Sequence, residues 1–135
     1  MKAIGIDIGT TTISMAVVEK DMDTGSKKLL DSRTILNESH IKTEREWEFL
    51  QEPEWITGKI QEALNELLTV YPDTERIGLT GQMHGILYVN KEGKAVSPLY
   101  TWQDKRGDIP EFEGKSLVEV LKEKTGMSFA SGYGL

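Results

Sequence analysis

A carboxylate, a glycine and three adjacent threonines stand together near the start of the chain, in the run GIDIGTTT at residues 5–12. Asp7 falls where an apolar strand should end, which delivers its carboxylate to a sheet edge. Gly9 lets the backbone come close to a phosphate. Successive amides in such a turn form a concavity for an anion, and the hydroxyls of Thr10, Thr11 and Thr12 add short donors. An aspartate beside phosphates is repulsive on its own, so the use that fits is to hold Mg2+, directly or through water. A hairpin with a polar turn is the plainer reading. The apolar strands on both sides and the threonines favour the phosphate turn.

Two later segments carry a different chemistry. TGQMHG, residues 80–85, begins where a strand should end, and ligands of open α/β sheets bind beyond the carboxyl ends of strands. Gln82 and His84 can hydrogen-bond the hydroxyls of a sugar while Met83 packs on its carbon face. Equally, His84 can be a satisfied structural histidine and Met83 part of the core. WQDKR, residues 102–106, gathers an aromatic ring, an amide, a carboxylate and two cations. There Asp104 can accept from two hydroxyls of a polyol, and Arg106 can orient Asp104 or meet an anion. Lys105 reads as solvated, as does His40, while Trp47 and Trp55 read as packing residues. A phosphate turn followed by two polyol-binding segments has the form of a sugar kinase.

The elements that position these residues follow from periodicity. Residues 3–8 alternate as a strand, Gly9 breaks it, and residues 13–19 and 29–36 read as second and third strands. Residues 37–52 are polar, charged and show no period. Pro53 opens a helix whose Ile56, Ile60, Ala63, Leu64, Leu67 and Leu68 share one face, and Tyr71-Pro72 ends it. Residues 76–80 form a returning strand. A hairpin turns at residues 90–93, and residues 99–102 are a further strand. Ser116 and Glu119 form a capping box for a last helix that Gly126 ends. Three antiparallel strands, a helix and a returning strand make a mixed sheet that fits an incomplete ribonuclease-H-like α/β domain, the fold of actin-like ATPases. Other mixed α/β folds share the pattern.

Composition bounds the partners. A net charge of -6 with no basic cluster argues against nucleic acid and against an anionic membrane surface. The absence of cysteine excludes disulfides, Cys-ligated zinc and thiol catalysis, and fits a cytoplasmic protein.

The three segments, in this order, resemble the N-terminal part of the FGGY family of carbohydrate kinases. GQMHG and WQDKR look most like its xylulokinase and sedoheptulokinase branches, and TGMSFASGYG, residues 125–134, looks like the start of a sugar-pocket segment. Gln103 and the later SGYG lean toward the sedoheptulokinase-like form. The resemblance implies ATP and Mg2+ as cofactors and a ketose as substrate. It places Asp7 near the metal and the γ-phosphate, and Gly9, Thr10, Thr11 and Thr12 along the phosphate turn. Met83 and His84 would touch the sugar with support from Gln82, and Asp104 would bind its hydroxyls beside Arg106. Kinases of this family are several times longer and have two ribonuclease-H-like domains. Residues 1–135 would therefore be part of the first, with the general base beyond Leu135. On that reading the chain alone is inactive, and it self-associates through apolar surface that the remainder would cover. A non-catalytic sugar- or phosphate-binding module is the alternative. A ribonuclease-H-like nuclease would need several acidic residues converging on two metals, and only Asp7 stands at an obvious strand end.

Overall fold

Alternation does what the pattern predicts at the start of the chain. In the computed structural model, which describes residues 1–133, β1 (Lys2–Ile8) and β2 (Thr12–Lys20) pair antiparallel, and β3 (Lys27–Leu36) pairs antiparallel with β2. Ile4, Ile6, Ile13, Met15 and Val17 are buried on one face of this sheet. Their neighbours Gly5, Asp7 and Ser14 lie on the other, because successive side chains of a strand point to opposite faces. Helix α1 (Pro53–Val70) contributes Ile56, Ala63 and Leu67 to the buried set, as its spacing requires. Arg33, which pairs with Met15 in register, reaches Glu66 of α1 at 2.6 Å, so the helix covers the apolar face. Each of those side chains larger than Ala63 stabilises the fold by roughly 1.5–3 kcal/mol relative to exposure.

After α1 the chain returns as β6 (Thr74–Gly81), parallel to β1, giving a four-stranded sheet in the order β3-β2-β1-β6. Strand β6 starts earlier than the sequence reading placed it. The register sets Asp7 of β1 between Ser14 of β2 and Thr80 of β6. These elements make up the first of two compact units, Met1–Glu38 with Trp55–Gln82.

The second unit comprises Ser39–Glu54 and Met83–Leu135. It holds a small sheet in which β5 (Leu50–Gln51) lies between β4 (His40–Ile41) and β7 (Leu99–Tyr100). Strands β4 and β5 come from the polar stretch that showed no period. The expected turn at residues 90–93 is present, with Gly93 N–H donating to the Asn90 carbonyl. The segments beside it meet only in single bridges, Val89 with Ala95 and Ile86 with Tyr100, so they are not the strands of a regular hairpin. A short 3-10 helix, Arg106–Asp108, precedes α2 (Leu117–Thr125). The capping box forms in both directions: Glu119 N–H donates to Ser116 Oγ, and Glu119 Oε2 accepts from Ser116 N–H at 2.8 Å. Gly126, in the left-handed region at φ 74°, closes the helix on the Lys122 carbonyl.

Candidate functional site

In the first unit, the turn after β1 is fastened from three sides. Gly9 N–H donates to the Thr12 carbonyl at 2.9 Å, and a Cβ at Gly9 would stand 2.8 Å from that same oxygen, so only glycine closes the turn this tightly. Asn37, fully buried just past β3, donates from Nδ2 to the Gly9 carbonyl at 2.7 Å and from its backbone N–H to the Thr11 carbonyl at 2.9 Å. A trans amide points its C=O and N–H to opposite sides. Holding those two carbonyls toward Asn37 therefore turns the Thr10 and Thr12 N–H groups away from it, the polarity an anion requires. The Trp55 indole N–H anchors the Asn37 carbonyl at 2.9 Å. Thr10 Oγ1 donates to Gln82 Oε1 at 2.9 Å, and Gln82 N–H reaches the Ile8 carbonyl at 2.8 Å. Gln82, expected to support a sugar contact, thus also braces the turn after β1.

Asp7 is exposed and opens on a shallow groove of about 340 Å³ lined by Gly5, Ser14, Gly78 and Thr80. Among the described residues no group of three or more His, Cys, Asp or Glu side chains could hold a metal ion. The donor set still fits magnesium in one way. Mg2+ keeps several waters and uses one or two carboxylates plus substrate phosphates, a role that one exposed carboxylate beside a turn of outward-facing amides can fill.

The second unit carries the other candidates. Asp104 is only 2% exposed, and both its oxygens are engaged. Oδ1 accepts from Arg106 Nε at 2.6 Å and Arg106 N–H at 3.1 Å, while Oδ2 accepts from Arg106 Nη2 at 3.0 Å and Phe49 N–H at 3.1 Å. A carboxylate has about four lone-pair positions, so a sugar hydroxyl reaches this one only by displacing a donor. Burial pushes the Asp104 carboxyl up. The hydrogen bonds from Arg106 and Phe49 together with the guanidinium charge outweigh it and hold the group below the usual carboxylate range. Arg106 lies 4.1 Å from the Tyr100 ring centroid and 5.8 Å from that of Trp47, with Glu48 at 3.9 Å. Hydrogen bonding to Asp104 is the main cause that raises its pKa.

His84 and Met83 are exposed. His84 has φ 62°, a left-handed conformation that costs a residue with a Cβ roughly 1–2 kcal/mol. Its ring lies 4.8 Å from that of Tyr133. Tyr133 in turn lines a pocket of about 500 Å³ with Phe49, Trp102, Gln103, Lys105 and Ser131. Lys105, read from sequence as solvated, is exposed and also stands at this pocket's wall. Within this unit the third motif and the SGY segment line one cavity that offers aromatic faces, an amide, a hydroxyl and an ammonium, and His84 of the second motif stands behind its Tyr133 wall. Such a lining suits a polyol.

The profile of the FGGY family of carbohydrate kinases, N-terminal domain, matches residues 2–135. The chain belongs to this family. It is 30% identical to the sedoheptulokinase of Mus musculus over 97% of its own length and 30% of that protein's. It is likewise 30% identical to the xylulose kinase of Staphylococcus xylosus, over 93% of its length and 23% of the relative's. The chain thus spans less than a third of these curated relatives. Among solved structures, the xylulose kinase of Rhodospirillum rubrum superposes with a TM-score of 0.71 at 17% identity, covering 93% of the chain and 24% of that protein. The fold is therefore that of the FGGY kinases, the ribonuclease-H-like fold of actin-like ATPases, in partial form.

Set in this FGGY framework, Asn37 and Phe49 are the site residues that sequence reading missed. Both act through the main chain or a single amide inside a stretch without period. For Asn37 the available signal was a lone asparagine directly after a strand.

Proposed function

We propose that this chain is the N-terminal part of an ATP-dependent ketose kinase, residues 1–135 forming part of its first domain. The observation that carries the reading is one pocket of the second unit lined by Trp102, Gln103, Ser131 and Tyr133, with the His84 ring 4.8 Å from that of Tyr133. The Asn37-braced turn of the first unit supports it from the nucleotide side. In the reaction a sugar hydroxyl oxygen bonds to the γ-phosphorus, the bond from that phosphorus to the ADP oxygen breaks, and the hydroxyl proton passes to a base. Bound Mg2+ would neutralise phosphate charge and orient the transferring group.

The chain's own residues divide the remaining work. Gly9, Thr10, Thr11 and Thr12 present amides and hydroxyls to the phosphates, and Asp7 holds the metal, directly or through water. His84 and Met83 contact the ketose from one side. Gln82 supports the phosphate turn through Thr10. Asp104 and Arg106 serve the sugar side. Holding both substrates in reacting geometry supplies most of the rate. No described residue is assigned as the base, which we place beyond Leu135. A cytoplasmic location accords with the lack of cysteine, and no helix among the described residues is long and apolar enough to cross a membrane.

The test is sugar-dependent ADP release by the full-length product of the reading frame, assayed with Mg-ATP against a panel of ketoses and polyols. Turnover on at least one ketose is expected, and well-folded protein inactive on every one would refute the proposal. The isolated 135 residues should release no ADP, which would leave them a binding module. Their coverage of under a third of the relatives favours that description for the chain by itself. Ile77 and Leu79 on strand β6 are 49% and 70% exposed, on the face that carries Ile4 and Ile6. Such apolar surface favours homo-oligomers of the isolated chain, and a strictly monomeric light-scattering profile at high concentration would exclude them.

A further inference from the structure

Several chain segments of the second unit depend on one side chain. Residues 101–106 lie against residues 47–49 through backbone bonds: Thr101 N–H to the Phe49 carbonyl at 3.0 Å, and Lys105 N–H to the Trp47 carbonyl at 2.9 Å. Thr101 Oγ1 adds a second donor to the Phe49 carbonyl at 2.8 Å. Between these contacts sits the Asp104 carboxylate, which takes the Phe49 N–H with one oxygen and Arg106 with both. Ser131 Oγ then donates to the Asp104 carbonyl at 3.3 Å, bringing in the SGY segment. Much of the pocket wall is made of residues these bonds hold in place: Phe49, Trp102, Gln103, Lys105 and Ser131. Asp104 itself does not line the pocket. Its side chain is buried, saturated and held by a guanidinium whose other face rests on Tyr100.

We propose that Asp104 is a positioning residue, whose buried carboxylate, clamped by Arg106 and the Phe49 amide, fixes the wall of the polyol pocket without touching the sugar. The identity of the occupant rests on the ketose-kinase reading above; the clamp does not. Physically, a buried carboxylate with four donors is a rigid node. Removing its charge leaves the half-buried Arg106 with only the more distant Glu48, at 3.9 Å, as an ion partner, and weakens the hydrogen bond to Phe49. The loop bearing Trp102, Gln103 and Lys105 then loosens as a unit.

Amide hydrogen exchange on the sugar-free chain reads this directly. In Asp104→Asn, the N–H groups of Thr101 and Lys105, neither of which bonds to the carboxylate, should exchange at least about tenfold faster than in the parent. Rates within about twofold of the parent would overturn the clamp. Should Asp104→Asn fail to fold, Arg106→Gln, which leaves both backbone donors on the carboxylate, is read by the same two criteria. A second arm uses the full-length product with a ketose and its monodeoxy analogues. A positioning role predicts that Asp104→Asn weakens binding of every analogue by the same factor. A loss that disappears for the analogue lacking one hydroxyl identifies a direct contact and overturns the proposal. If the parent binds no ketose at all, the substrate reading fails, while the exchange measurement still decides the clamp.

Discussion

The two units are held together by different physics. In the first, the buried residues are mostly aliphatic: Ile4, Ile6, Ile13, Met15, Val17, Ile56, Ala63 and Leu67. In the second, among the described residues, Leu50 is the buried large hydrophobe, and the other buried side chains beyond glycine are polar: Ser39, Gln51, Thr101, Asp104 and Ser116. The candidate sites follow the same division. The turn after β1 is braced by neutral groups, the Asn37 amide and the Trp55 indole. The pocket lined by Trp102 and Gln103 is braced by an ion pair. A neutral brace adds no charge of its own to the turn, which accords with the phosphate role proposed for it. An ionic brace gives strong geometric definition to a loop with little apolar core behind it, at the cost that losing either partner strands a charge.

The largest effect that separates the units should come from Asp7→Asn in the full-length product. If the first unit handles phosphate, kcat should fall on the order of a hundredfold or more, because neutralising phosphate charge is a main component of catalysis in phosphoryl transfer. Ketose affinity, which the second unit supplies, should change little. Steady-state kinetics with both substrates varied checks this, and near-normal turnover would remove Asp7 from the nucleotide side.

His84→Ala makes the reciprocal cut. Loss of one hydrogen bond to a sugar hydroxyl in a desolvated pocket costs roughly 1–3 kcal/mol, so ketose binding should weaken by that amount with nucleotide binding unchanged. A selective loss of ATP affinity would contradict the division of labour. His84→Gly sharpens the comparison, since glycine relieves the left-handed strain at φ 62° while removing the same ring. If the histidine is retained for contact, both variants should bind ketose equally poorly, with the glycine variant the more stable.

Asn37→Ala tests the neutral brace. The variant loses the bond to the Gly9 carbonyl. It also removes Asn37 Oδ1, a buried acceptor with no partner among the described residues, so the net cost should sit low, at about 1 kcal/mol. Chemical denaturation measures the loss, and the effect on turnover should appear in the ATP terms. An unchanged ATP dependence would mean that the turn holds its shape without the amide.

The same contrast governs what could be read from the sequence. Alternating apolar residues in β1 and β2, and the i, i+3, i+4 spacing of α1, report burial directly, so the first unit was legible almost element by element. The α2 cap was equally plain, because Ser116 and Glu119 satisfy each other's backbone at fixed spacing. Strands β4 and β5 were invisible. They are two residues each, too short to show a side-chain period, and β5 finds β7 across a long separation. The motif at residues 102–106 was recognisable as chemistry, yet its division of roles was not. Sequence shows a carboxylate and a guanidinium two residues apart, but not that Phe49, 55 residues away, completes the carboxylate's shell.

Acid should separate the units with the mildest perturbation. The folded-state pKa of Asp104 is depressed below that of the unfolded chain, so its contribution to stability is fully present above the unfolded value, about 3.9. It is lost as pH falls from there through the folded pKa. Over that window the carboxylate must take up a proton, and its ion pair with Arg106 dissolves. Glu119, also depressed chiefly by the Ser116 N–H, gives up its part of the α2 cap in the same direction, though from an exposed position where solvent screens it. The aliphatic face of the first unit has no comparable group in its core. On stepwise acidification below about pH 4, amides of the second unit, such as Lys105 and Thr101, should therefore lose protection before those of β1 and β2. Being buried, the Asp104 pair should hold against added salt, which screens exposed pairs such as Lys2 with Asp73 far more strongly. Simultaneous loss of protection across both units would show that the polar core of the second is no more dependent on charge than the apolar core of the first.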